Sequence, residues 1–222
     1  MAGMPGPRID SYDSVGGREA MLRFGPERVP TVVAALPLFE EANRTRAAIV
    51  DVLRRLAATG IGGALPDLPG TGESLTDVAD VTLATWRGAF AAACASLPSP
   101  VHVVGWRGGA LIDGAADVAS RWYLAPLGGA ATVRELERLR RTGGGADYGG
   151  NLLSTAMLAS LADAEPVTTG ALRVVRLESD PAAADRHLPG APLWRAAEPG
   201  TDTILQAALA DDIAGWIAAC GG

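Results

Sequence analysis

The chain has 222 residues, 48% of them hydrophobic and only 5% aromatic, so aliphatic side chains and alanine must build most of its core. That length suits one domain burying roughly 70% of its unfolded surface. A net charge of −6 speaks against nucleic acid or an anionic membrane as partner, since both call for a basic face.

The N-terminal stretch MAGMPGPRIDSYDS lacks the basic start and apolar run of a secretory signal. Its glycines, prolines and acids suggest a flexible leader over residues 1–20, ahead of a single domain over 21–222. VPTVVAALPL (29–38) is a continuous β-branched run, as expected of a strand buried on both faces. In the next segment Ile49, Val52, Leu53 and Leu56 fall on one helical face, and Gly60 is placed to end the helix. IGGALP (61–66) is a short strand, and Trp86, Phe90, Ala93 and Leu97 repeat the helical spacing through 82–97. VHVVGW (101–106), WYLAPL (122–127) and ALRVVRL (171–177) complete the strands. The last segment sets Ile204, Leu205, Ala208, Leu209, Ile213, Trp216 and Ile217 on one side of a helix, with capping-box spacing at Thr203 and Gln206. Strand and helix alternating in this way predict an α/β fold, a mostly parallel sheet with helices on both faces. Residues 128–165 break the rhythm and form a small helical insertion at the ligand edge, either a lid or an extra packing layer. Within it, the basic residues of RELERLRR (134–141) alternate with acids, the pattern of a solvated helix face.

No apolar run reaches the roughly 20 residues of a membrane span. The two cysteines, Cys94 and Cys220, make no disulfide framework, so a reducing cytoplasm is expected, with Cys94 as a small buried hydrophobe and Cys220 as a tail thiol. No two cysteines or histidines have zinc-ligand spacing, and no metal or cofactor is expected. The chain contains no lysine, which excludes Schiff-base chemistry, lysine-bound pyridoxal phosphate and a lysine-bearing phosphate loop. Arginine cannot take over, because it stays protonated.

Three turns carry what chemistry the sequence shows. In HVVGWRGGALI (102–112) a strand runs into G-x-x-x-G, the frame of the nucleophile elbow G-x-S-x-G, with Gly105 and Gly109 at the glycine positions. The centre of that frame is Arg107, which is neither nucleophile nor proton acceptor. After the first strand, LPLFEEANRTR (36–46) occupies the loop that supplies an oxyanion-hole N–H in hydrolases built on this frame. After the next, PDLPGTGESL (66–75) is an aspartate-led glycine turn that Ser74 can cap.

Together these turns resemble an α/β hydrolase, and most closely the group called exosortase A system-associated hydrolase 2. ALPLFEEANRTR follows that group's P-P-F-A-E-E-M-N-K-S-R-like segment, PDLPGTGES its glycine turn, and GWRGGAL its G-L-R-L-G-A-L elbow, which already has arginine at its centre. The resemblance spans about residues 22 to 217 and implies the fold, a bacterial setting and proteins of an exosortase or exopolysaccharide system as partners. The group's hydrolase label itself rests on fold analogy.

A triad is hard to assemble. The acid position after the penultimate strand offers Glu178 and Asp180, with Asp180 the better placed, but no histidine follows the last strand around APLWRAAEPGTD (191–202). His187 lies on a connecting loop and His102 within a strand. Two readings of Arg107 follow. It binds a small carboxylate or phosphate in a pocket with Trp106, Phe39, Glu40, Glu41 and Asn43, helped by a helix N-terminus. Alternatively it pairs with Glu40, Glu41, Glu178 or Asp180 and ties the former active-site edge together, since a buried arginine needs a partner. For the chain as a whole, a non-catalytic accessory or binding protein stands against an ester or acyl hydrolase with an unusual site, using Ser74 or a carboxylate-activated water.

Overall fold

A computed structural model describes residues 6–98 and 100–221. The β-branched run becomes β3 (Thr31–Ala35), all five residues buried, between the parallel neighbours β4 (Gly62–Pro66) and β5 (Val101–Trp106). β6 (Ser120–Leu124), β7 (Leu172–Leu177) and the short β8 (Arg186–Leu188) extend the parallel part. Where the sequence suggests a flexible leader over 1–20, residues from Arg8 on form a hairpin, β1 (Arg8–Ser14) and β2 (Gly17–Phe24), and β2 joins β4 antiparallel. Its polar residues mislead because β1 is an edge strand with most side chains in solvent, while Tyr12 and Met21 are buried. The part of the expected leader at 1–5 lies outside the described residues. The sheet order is β1-β2-β4-β3-β5-β6-β7-β8.

Alternation along the strands divides the core into two layers. Val32, Ala34, Val104 and Trp106 face α1 (Glu40–Ala58) and α5 (Thr203–Ala219). Val33, Ala35 and Val103 face α2 (Leu83–Ala95). α1 buries the four apolar residues the spacing predicts and ends at Gly60, φ 91°, where Gly60 and Ile61 N–H groups donate to Ala57 and Leu56 carbonyls. α5 starts differently from the expected capping box: Asp202 accepts from the Leu205 N–H at 3.0 Å, and Gln206 is buried, its amide donating to the Ala48 carbonyl of α1 at 3.3 Å. Ile204, assigned to the apolar face, is exposed. No helix among the described residues is long and apolar enough to cross a membrane.

Asp212 ties α5 to the sheet. Its carboxylate, 5% exposed, accepts from Trp122 Nε1 (2.8 Å), Arg173 (2.8 and 2.9 Å) and Arg186 (2.7 Å). Burial alone would raise its pKa, but those hydrogen bonds outweigh it and hold the group at about 2.

The insertion contains α3 (Gly129–Gly143) and α4 (Thr155–Ala162). It packs as a layer, burying Leu136, Met157 and Leu161 in the same core as α2. Its two ends touch: the Gly129 N–H donates to the Ala164 carbonyl at 2.7 Å.

Candidate functional site at the elbow

β5 ends in a sharp reversal at Arg107, whose φ of 54° is left-handed and unusual for a non-glycine residue. Close packing fixes the turn. A side chain on Gly109 would meet the Ala35 and Leu36 carbonyl oxygens at 2.4 and 2.6 Å, so only glycine lets the elbow sit against the loop after β3. A long helix does not follow, contrary to the strand-to-helix turn the motif suggests. Residues 107–111 and 113–115 make only short 3-10 turns before β6 begins at Ser120. Gly108 and Gly109 are poor helix formers, and the short β5–β6 connection leaves little room. The helix N-terminus expected to start at the elbow itself is therefore not formed among the described residues.

The guanidinium is enclosed instead. Arg107 is 6% exposed. Its Nε and Nη2 donate to Glu41 at 3.3–3.4 Å, and Nη2 also donates to both carboxylate oxygens of Glu135 at 3.1 Å. The indole of Trp194 lies across it, 5.1 Å from ring centroid to Cζ, a cation–π distance. Glu41 comes from the first turn of α1, Glu135 from α3 of the insertion, and Trp194 from the loop after β8. One arginine thus ties together three segments of the carboxyl edge. Burial raises the Glu41 pKa; Arg107 opposes this and Glu135 adds to it, leaving the carboxyl above its ordinary range.

The triad positions are otherwise occupied. The loop after the last strand, where a histidine would stand, delivers Trp194. Asp180 accepts from Arg176 at 2.6 Å. Burial tends to raise its pKa, but hydrogen bonds from the Ala182 N–H and Arg176, with the charge of Arg107, bring it below the usual value. His187 is exposed on β8, with Nε2 3.1 Å from the Ala182 carbonyl oxygen. His102 is buried with Nδ1 2.8 Å from Ser120 Oγ, and burial lowers its pKa. Ser74 braces its turn, accepting from the Gly70 N–H and donating to Glu19, both at 3.0 Å. Cys94 is buried, its thiol pushed up to about 12 chiefly by burial, and Cys220 is partly exposed.

Of the residues expected around Arg107, only Glu41 pairs with its guanidinium, while Asp180 lies near enough to feel its charge. Trp106 points into the core beneath α1 and α5, its buried Nε1 without a partner among the described residues. That follows from strand alternation, which sends 104 and 106 to the same face. Glu40 pairs with Arg44, which also donates to the Trp194 carbonyl at 3.2 Å. Glu178 is exposed and makes no ion pair among the described residues. Asn43 and Phe39 line a cavity of about 330 Å³ between the loop after β3, the glycine turn after β4 and the insertion, and Phe39 also borders a small hollow lined by Glu41 and Glu135. Phe39 has φ 56° and packs against Trp86, ring centroids 5.3 Å apart. No residue of the Arg107 cluster lines this cavity. Glu135 and Trp194 carry no local sequence signal as Arg107 partners, being a helix-face acid and an aromatic in a proline-rich loop.

Neither a family model nor a curated protein sequence matches the chain. Solved structures do. Alpha/beta hydrolase domain-containing protein 10 from mouse is 13% identical, with 95% of this chain and 98% of that one covered and a TM-score of 0.67. Est1E from Butyrivibrio proteoclasticus is 16% identical, with 94% and 99% covered and a TM-score of 0.64. An α/β serine hydrolase without lid from Xanthomonas campestris is 14% identical, with 97% and 96% covered and a TM-score of 0.57. At these identities the likeness establishes the α/β-hydrolase fold.

Proposed function

We propose that this chain is a non-catalytic member of the fold, a pseudoenzyme whose elbow fastens the active-site edge instead of attacking an ester. The supporting observation is the enclosure of Arg107 by Glu41, Glu135 and Trp194. A serine hydrolase needs at this place a nucleophile within hydrogen-bond reach of a base that a third group orients. Here a permanent cation fills the nucleophile position and an indole the base position. A fluorophosphonate probe and a panel of p-nitrophenyl esters test the reading. No labelling and no turnover are expected from the wild-type chain, nor from Arg107→Ser, which regains the hydroxyl without a base. Turnover abolished by Ser74→Ala would instead support an ester or acyl hydrolase with an unusual site.

Its setting is a bacterial cytoplasm, as an accessory protein of an exosortase or exopolysaccharide system. The ALPLFEEANRTR, PDLPGTGES and GWRGGAL segments support the first part, and two unpaired thiols fit a reducing compartment. The gene's chromosomal neighbours are the direct check, and a locus without exosortase or polysaccharide-export genes would remove that association. A small carboxylate or phosphate at Arg107 would have to displace a carboxylate, most easily Glu135, whose side chain is 36% exposed against 23% for Glu41.

A further inference from the structure

We infer that the cavity between the loop after β3 and the glycine turn after β4 is a binding site for a small carboxylate with an apolar body, held at Arg46. The proposal rests on the non-catalytic reading only in that the ligand is retained and not turned over. About 330 Å³ is at the lower end of the range of small-molecule sites. Leu38, Phe39, Leu68, Trp86 and Phe90 supply an apolar wall, and the Trp86 indole N–H is already used on the Pro69 carbonyl at 2.8 Å. The deep end therefore suits hydrocarbon.

The polar end is different. Arg46 lines the cavity and gives one hydrogen bond to protein, from Nη2 to Asp67 Oδ1 at 3.0 Å. Asp67, 5% exposed, has its other oxygen on the Glu73 N–H at 3.1 Å, so the acid is satisfied. The remaining guanidinium N–H groups of Arg46 have no acceptor among the described residues, and its side chain is 36% exposed. Spare donors fixed by a satisfied acid select an acceptor, and a carboxylate matches the guanidinium fork best. Glu73, the other charged residue of the lining, is exposed and opposes an anion. The turn leaves no slack: a side chain on Gly72 would meet the Asp67 carboxylate at 2.3 Å.

Calorimetric titration with 3-phenylpropionate and octanoate, against their methyl esters and inorganic phosphate, tests the site. Both acids are expected to bind, the esters at least about tenfold more weakly, as the loss of a charged hydrogen bond implies, and phosphate not at all. Ala42→Phe, filling the cavity, should abolish binding. Arg46→Gln combined with Asp67→Asn removes both charges together, so the fold is not left with a lone buried acid, and should make acid and ester bind equally. Glu73→Gln should tighten the acids alone. Binding of ester and acid alike to the wild type, binding undiminished in Ala42→Phe, phosphate binding alone, or no binding at all would each overturn the proposal. Failure here leaves the probe-labelling result untouched, and esterase turnover would defeat the non-catalytic reading without touching this site's affinity.

Discussion

Two ionic clusters in this fold are inverted copies of each other: at the elbow one guanidinium meets two carboxylates, and at Asp212 one carboxylate meets two guanidiniums. The difference lies in what the surroundings do to the acid. Asp212 accepts from three donor side chains and is held at about 2, fully committed to its charge. Glu41 shares a single guanidinium with Glu135, and burial keeps its pKa above the ordinary range. An acid with surplus donors is a fixed strut, whereas two acids on one donor make a contact that protonation alters.

Removing the shared cation should have the largest effect. Arg107→Ala leaves Glu41 and Glu135 facing each other without a counter-charge and should lower unfolding free energy by about 3 kcal/mol in denaturant titration. Asp212→Asn keeps the shape but removes the negative charge to which Arg173, Arg186 and Trp122 donate. About 2 kcal/mol is expected, restrained because the Arg186 side chain is 51% exposed and screened.

The two acids should also respond to pH with opposite signs. Asp212 has a folded pKa of about 2, below its unfolded 3.8, so its stabilisation is complete above 3.8 and disappears as pH falls toward 2. Glu41 has a folded pKa above its unfolded 4.5, so its ionisation disfavours the folded state, and its contribution falls as pH rises from 4.5 through the folded value. Stability measured against pH for wild type, Glu41→Gln and Asp212→Asn should therefore give difference curves of opposite slope. Parallel curves would show that the two clusters do not differ in kind. The smallest effect belongs to Glu135→Gln, under about 1 kcal/mol, because Arg107 keeps Glu41 and Glu135 is partly solvated.

Much of the parallel sheet was legible in the sequence, since a continuous β-branched run and a helical apolar face are local signals. β3 and α1 lie where their spacing predicts. The hairpin at 8–24 was not, because an edge strand exposes polar side chains and its pairing with β4 is made across some 40 intervening residues. The glycine frame around Arg107 was legible too, as was Glu41 among the acids offered for it. Glu135 and Trp194 were not, because the sheet brings together segments 28 and 87 positions from the elbow through contacts that no local pattern encodes. Trp106 shows the reverse error: adjacency in sequence suggested a ring on the guanidinium, and the pleat buried it in the core beneath α1 and α5, leaving that place to Trp194.

The meeting of Gly129 and Ala164 where the insertion leaves and rejoins the sheet gives that segment the character of a module. A side chain on Gly128 would come within 2.8 Å of the Glu165 carboxylate, so entry and exit strands of chain are side by side. A change of length between these two ends need not move β6 or β7, because closing so short a gap demands little of the backbone. What any such change must preserve is the apolar contact of Leu136, Met157 and Leu161 with the core on the α2 side.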